Sequence, residues 1–385
     1  MTTALSLAQD LIRLPSVTPA EEGTLDLLER HLSRLGFTCT RYPFGEGQHR
    51  VDNLYARRGT EAPNFCFAGH VDVVPAGAHE DWQAAPFSAE VRDGQLWGRG
   101  AADMKGAIAA MLEAVERFVT ANPDHPGSIS FLITCDEEGP AEHGTEPLLE
   151  AITAAGETLS HCLVGEPTNP DRLGTMIKNG RRGSLNGKVT VTGKQGHVAY
   201  THRAANPVPV IMAFLQRLLD RELDTGNAFF QPSNLEVTSI DVGNPAHNVI
   251  PSAARAQFNI RFNTEHRGDD LKAWIRETAA AVAEETGLSI DLDLRVTGEA
   301  FLTDPSRFTA LVQDAVEIRT DLRPELSTNG GTSDARYITN YCPVVEFGLV
   351  GATMHQVDER VDVADIATLT DIYEDVLSRY FREFA

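Results

Sequence analysis

Apolar residues recur at helical spacing through residues 4–14 and 21–35, and Gly36 supplies a stop after the second run. Residues 64–75, NFCFAGHVDVVP, read as an apolar strand running into a polar turn. Residues 100–119, GAADMKGAIAAMLEAVERFV, read as a turn and then a long helix. SISFLITCDEEG (128–139) is a second apolar strand that ends in acids, and HCLVGEP (161–167) repeats the design. Apolar strands alternating with helices predict an α/β domain with a mainly parallel sheet. In such a sheet, functional side chains gather beyond the carboxyl ends of the strands.

From about residue 181 the pattern changes. The order becomes strand (LNGKVTVTG), helix (PVPVIMAFLQRLLDREL), two strands (NLEVTSIDVG, ARAQFNIRFN), helix (DDLKAWIRETAAAVAEETG) and strand (LSIDLDLRV). β-α-β-β-α-β is the ferredoxin-like unit, here over 181–294. The chain then returns to α/β alternation with FTALVQDAVEIRTDL, PVVEFGLVG and a final helix from Asp365. The expectation is a first domain of 1–180 and 295–385, interrupted by a second of 181–294. Residues 188–192 alternate polar and apolar, which reads as an exposed strand edge open to a second copy of the chain.

At 385 residues, the chain has room for two domains. A net charge of -22 argues against nucleic acid as a partner, because phosphate contacts need clustered cations. Five cysteines (Cys39, Cys66, Cys135, Cys162, Cys342) are scattered, with no C-x-x-C pair, which favours a reducing compartment. Gln9, Asp10 and Arg13 interrupt any secretory pattern, and no apolar run reaches the ~20 residues of a membrane helix. The expectation is a soluble cytoplasmic protein with no membrane partner.

The strand ends carry the chemistry. His70 and Asp72 follow one strand, Asp136-Glu137-Glu138 another and Glu166 a third. Asp103 lies in a turn before a helix, and His355 follows the last apolar run. Imidazole and carboxylate together suit Zn²⁺, with Mn²⁺ and Co²⁺ as rivals. One histidine with two or three carboxylates holds one metal; two histidines hold two if a carboxylate bridges. Two metals about 3.5–4 Å apart clamp a water and bring its pKa near neutral. One of the paired Glu137 and Glu138 is then free to act as a general base. Each residue alone reads as an ordinary surface or loop acid; the case rests on their convergence in one architecture.

AGHVDVVPAG, WGRGAADMKG, TCDEEGPAEHGT, VGEPT and TMHQVDERV together resemble the M20 metallopeptidase family. The family includes carboxypeptidases, aminoacylases and small-molecule deacylases. The resemblance implies a zinc-peptidase-like catalytic domain and an inserted ferredoxin-like α+β lid and dimerisation domain. It implies a two-zinc hydrolase in which His70, Asp103 and Glu166 bind one ion. Asp103, Glu138 and His355 bind the other, with Asp103 bridging. Glu137 matches the general base, and Asp72 the acid that orients His70. His197 matches a lid histidine that reaches the partner subunit's site in a homodimer.

IKNGRRGS, GKQGHVAY, HNVIP, QFNIRF and NGGTSDARY extend the resemblance over nearly the whole chain. They point to a deacylase of an anionic, succinylated amino acid. N-acetyl-ornithine deacetylation, an aminoacylase, and a non-catalytic metal-binding protein are the alternatives. An acidic protein needs local cations to receive such a substrate, and residues 176–207 gather them. Arg181 and Arg182, with Arg261, have the fork that matches a carboxylate, and Lys178 adds a point charge. Lys188, Lys194 and Arg203 read as solvated surface. Gly331, Thr332 and Ser333 lie in a glycine-rich loop that reads as a carboxylate nest or as a plain tight turn. Asn248 in HNVIP completes the candidate substrate set. The chain departs from the family pattern at Asn329, Leu349 and Gly351.

Overall fold

The computed structural model describes residues 3–385. The chain divides into two compact units. The first comprises the chain up to Asn179, Thr303–Ser327 and Ser333–Ala385; the second comprises Gly180–Leu302 and Thr328–Thr332.

The first unit is built on an eight-stranded mixed sheet. Its order is Thr38–Phe44, Val51–Arg58, Ser128–Thr134, Asn64–His70, His161–Val164, Val344–Glu346, Met176–Lys178 and Glu325–Ser327. The middle is parallel: Ser128–Thr134, Asn64–His70, His161–Val164 and Val344–Glu346 all run one way. Every position of Asn64–His70 and Ser128–Thr134 is buried, as expected of strands covered on both faces. The hairpin of Thr38–Phe44 and Val51–Arg58 adds antiparallel strands at one edge.

Helices Ala4–Ile12, Gly106–Ala121 and Val363–Phe384 share one apolar cluster with the sheet. Phe65 meets Tyr380 edge-on at 4.8 Å and Phe67 meets Tyr373 at 5.3 Å, which fastens the C-terminal helix to the central strand. Such aromatic pairs add ~1 kcal/mol beyond the area they bury. A small antiparallel sheet of Glu90–Arg92, Gln95–Trp97 and Arg360–Asp362 ties the segment after His355 back to the turn before Asp103.

The second unit is a four-stranded antiparallel sheet with two helices, Pro207–Leu219 and Gly268–Thr286. Numbered along the chain, its strands Gly183–Thr192, Asn234–Asp241, Ala253–Phe262 and Ser289–Gly298 lie in the order two, three, one, four. Leu185, Val189 and Val191 point into a core with Phe214, Phe258 and Ile275. Gly187 leaves room for the ring of Phe258, which a β-carbon would meet at 2.1 Å.

The expected edge at 188–192 is corrected. Lys188 pairs with Gln257 on one side and Asp293 on the other, so Gly183–Thr192 is an interior strand. Its alternation reflects one face on the helices and one face in solvent. The edges are Asn234–Asp241 and Ser289–Gly298. The unit also runs past residue 294, because Ser289–Gly298 is longer than its apolar pattern and Phe301–Leu302 pairs with Gly180–Arg181.

Candidate metal centre

His70 is the last residue of the central strand, and Asp72 lies two beyond it. Glu137 and Glu138 follow the neighbouring strand Ser128–Thr134, and Glu166 follows His161–Val164. Asp103 lies in the irregular turn Ala101–Lys105 that opens the helix Gly106–Ala121. His355 sits in the loop after Val344–Glu346, in the left-handed region at φ 62°. Non-glycine residues seldom adopt that region.

These side chains converge. His70 Nε2 stands 3.1 Å from Asp103 Oδ1 and 3.8 Å from Glu166 Oε1. His355 Nε2 stands 3.1 Å from Asp103 Oδ2 and 2.7 Å from Glu138 Oε1. Asp103 thus turns one oxygen to each histidine. His70, Glu137 and Glu166 present ligand atoms within 4.8 Å of one another, and so do His70, Asp103 and Glu138.

The supports are equally defined. His70 Nδ1 lies 2.9 Å from the Asp72 carbonyl oxygen and 3.6 Å from its carboxylate. The Asp72 carboxylate accepts the amides of Glu137 at 3.3 Å and Glu138 at 3.1 Å. One buried acid therefore orients a histidine and anchors the next strand end. Glu359 does the same for Asp103: it accepts the amides of Ala102 at 2.9 Å and Asp103 at 3.2 Å. A buried Arg99 pairs with Glu359 at 2.6 Å.

The electrostatics describe a place short of positive charge. Burial pushes Glu137 and Glu166 well above the usual glutamate range. The carboxylates of Asp334, Glu138 and Asp103 add to this for Glu137, and Asp103 and Glu137 for Glu166. Burial also lifts Asp72 to about 6. Hydrogen bonds to Asp103 and Glu138 raise His355 to about 10. Burial opposes a charged His70, but the hydrogen bond and charge of Asp103 carry it well above its ordinary value. Protons here occupy a role that cations fill better. Glu166 Oε1 makes the point directly: it is buried with no hydrogen-bond partner among the described residues. An orphaned carboxylate oxygen beside His70, Asp103 and Glu137 fits a divalent metal.

The structure does not gather every candidate here. Ser333, in the first unit, is fully buried and donates its hydroxyl to Glu346. Lys178, also in the first unit, is buried and donates to Ser327 Oγ at 3.3 Å. The other candidates belong to the second unit. Arg181 donates to the Gly331 carbonyl at 3.1 Å, and Thr332 follows in the same segment. Arg182 and Arg261 are neighbours; burial lowers the pKa of both, and Arg261 lowers that of Arg182 further. His197 is exposed on a two-residue strand opposite Val249–Ile250, and the Asn248 carbonyl accepts the Val198 amide at 3.0 Å. Lys188, Lys194 and Arg203 are solvent-exposed.

Glu359 and Arg99 escaped sequence reasoning. Both lie inside the motif stretches TMHQVDERV and WGRGAADMKG, but nothing in the spacing shows that one acid there supports a backbone turn.

The profile of peptidase family M20/M25/M40 matches residues 66–379. Succinyl-diaminopimelate desuccinylase of Maricaulis maris is 63% identical over 381 residues, covering 99% of this chain and 96% of its own. That of Rhodospirillum centenum is 57% identical over 378 residues, covering 98% and 97%. Among solved structures, an M20 family metallo-carboxypeptidase from Sulfolobus solfataricus superposes with a TM-score of 0.80 at 16% identity, covering 99% of this chain and 100% of that one. A dinuclear metal-binding M20 peptidase of Bacillus subtilis gives 0.71 at 16% identity, covering 98% of each chain. Shared motifs, shared fold and a full-length match lead to one assignment: the chain belongs to peptidase family M20/M25/M40.

Proposed function

We propose that the protein hydrolyses the succinyl amide of N-succinyl-LL-2,6-diaminopimelate, releasing succinate and LL-2,6-diaminopimelate on the route to lysine. The observation that carries this reading is the full-length similarity, 63% identity over 381 residues, to a desuccinylase. The acid and histidine cluster supplies the chemistry the reaction needs.

His70, Asp103 and Glu166 would hold one zinc ion, and Asp103, Glu138 and His355 a second, with cobalt or manganese as substitutes. Bound there, the ions supply Lewis acidity and a water of lowered pKa. Glu137 takes the proton of the attacking water and returns it to the leaving amine. Asp72 keeps His70 in one tautomer by engaging its other ring nitrogen.

The substrate is anionic, and Arg181 and Arg261, with Asn248, Gly331, Thr332 and Ser333, are its proposed binding set. For Ser333 the role is indirect, through its bond to Glu346. We further propose a homodimer through the second unit, in which His197 steadies the oxyanion in the partner subunit's site. Its exposed ring supports this role. The cytoplasm is the proposed location, where the five free thiols stay reduced.

Initial rates of the zinc-reconstituted protein on N-succinyl-LL-diaminopimelate and on N-acetyl-ornithine test the reading. A strong preference for the succinyl substrate is expected. Preference for the acetyl substrate would keep the metal chemistry and overturn the substrate, with Gly351 the first position to examine.

A further inference from the structure

The segment carrying Glu137 and Glu138 leaves the sheet at Thr134 and enters the helix Thr145–Ala154. Its first acid, Asp136, belongs to neither group of converging ligand atoms. Its side chain turns to the loop instead. Asp136 is 2% exposed, and its Oδ2 accepts the amides of Glu142 at 2.9 Å and His143 at 3.0 Å. The two limbs of the loop are thereby closed on each other.

Around this clasp the fit is tight. The Asp136 amide donates to Thr134 Oγ1 at 3.2 Å, and that hydroxyl donates to Asn53 Oδ1 at 2.7 Å. Asn53 in turn donates to the His143 carbonyl at 2.9 Å. Gly139 passes so close that a β-carbon would lie 2.5 Å from Asp136 Oδ1. Thr145 Oγ1 donates to Asp334 Oδ2 at 2.6 Å, which fixes the loop's exit.

We propose that Asp136 is a positioning residue for this loop: by clasping the Glu142 and His143 amides it sets where Glu137 and Glu138 stand. Asp72 fixes only the amides of those two residues; Asp136 fixes the arch on which they are carried. The inference rests on the proposed roles of Glu137 and Glu138.

An asparagine offers the same acceptor oxygen without the charge, and an alanine offers nothing. Asp136→Asn and Asp136→Ala should therefore separate. In the cobalt-reconstituted protein, D136N, whose NH2 replaces an Oδ1 that is buried without a hydrogen-bond partner, is expected to stay within about fivefold of the wild-type kcat and to keep the visible cobalt spectrum. D136A is expected to lose about 10–100-fold in kcat at unchanged KM, with an altered cobalt spectrum and weaker cobalt binding. A folded D136A with wild-type kcat and spectrum overturns the proposal, and so does a D136N as impaired as D136A. If D136A does not fold, Asp136→Ser is read on the same quantities, with the same outcomes deciding. If the wild-type protein leaves the succinyl substrate untouched, the proposed function fails, and the cobalt spectra of the variants still decide the role of Asp136.

Discussion

Glu137 is enclosed by Asp103, Glu138 and Asp334, three acids that by themselves would make a poor home for another carboxylate. Burial and these neighbours raise its proton affinity; the role proposed for it is to accept a proton and then release it. Glu137→Ala is expected to cut turnover by about 10²–10⁴-fold while metal content stays unchanged; an active variant would refute the assigned role. Asp224, in the second unit, shows the opposite balance. Burial disfavours its charge, but hydrogen bonds from Ser233 and Gly226 hold it at about 2, against an ordinary 3.8. A depressed carboxylate stabilises the fold fully above pH 3.8, and that share is lost as pH falls toward about 2. Acid unfolding followed by circular dichroism should show this loss, and Asp224→Asn should flatten the slope in that window. At this scale the acids and histidines were legible because strand ends in an α/β sheet converge. Of their supports, Asp72 was legible through the family resemblance, whereas Glu359 and Asn53 were not, because they act through backbone amides and carbonyls that leave no trace in spacing.

Elements were legible where one periodicity dominated. The all-apolar strands and the long amphipathic helices were legible in their patterns, whereas the helix Thr145–Ala154 was not. Gly183–Thr192 was misplaced because an edge strand and an interior strand with one wet face share the same alternation. Only pairing distinguishes them. The hairpin of Thr38–Phe44 and Val51–Arg58 was missed, since polar residues such as Arg41 and Asp52 blur its pattern. The corrected edge matters for assembly. Asn234–Asp241 ends the sheet, and Ile240 on it is 54% exposed. An apolar residue on an open edge favours pairing, and a charge there discourages it. If the proposed dimer uses this edge, Ile240→Asp should shift the sedimenting species from dimer to monomer. A dimer that survives the substitution places the interface elsewhere.

At the scale of the whole molecule, charge and chain order carry the argument. For a chain of net charge -22, the proposed anionic substrate calls for locally concentrated cations, and the proposed binding arginines Arg181 and Arg261 lie in the second unit. The β-α-β-β-α-β order made the insertion visible in the sequence. Its limits were not visible, because the return through Phe301–Leu302 and Thr328–Thr332 depends on pairing rather than pattern. The insertion also dictates a timetable for synthesis. Gly180–Leu302 is contiguous, so its sheet and helices are all available once Leu302 has left the ribosome. The first unit must wait: Glu325–Ser327, Val344–Glu346 and the helix Val363–Phe384 come from the end of the chain. A part that begins translation first is thus completed last. His355 lies in this late stretch as well, so the converging acids and histidines are complete only once it has been made.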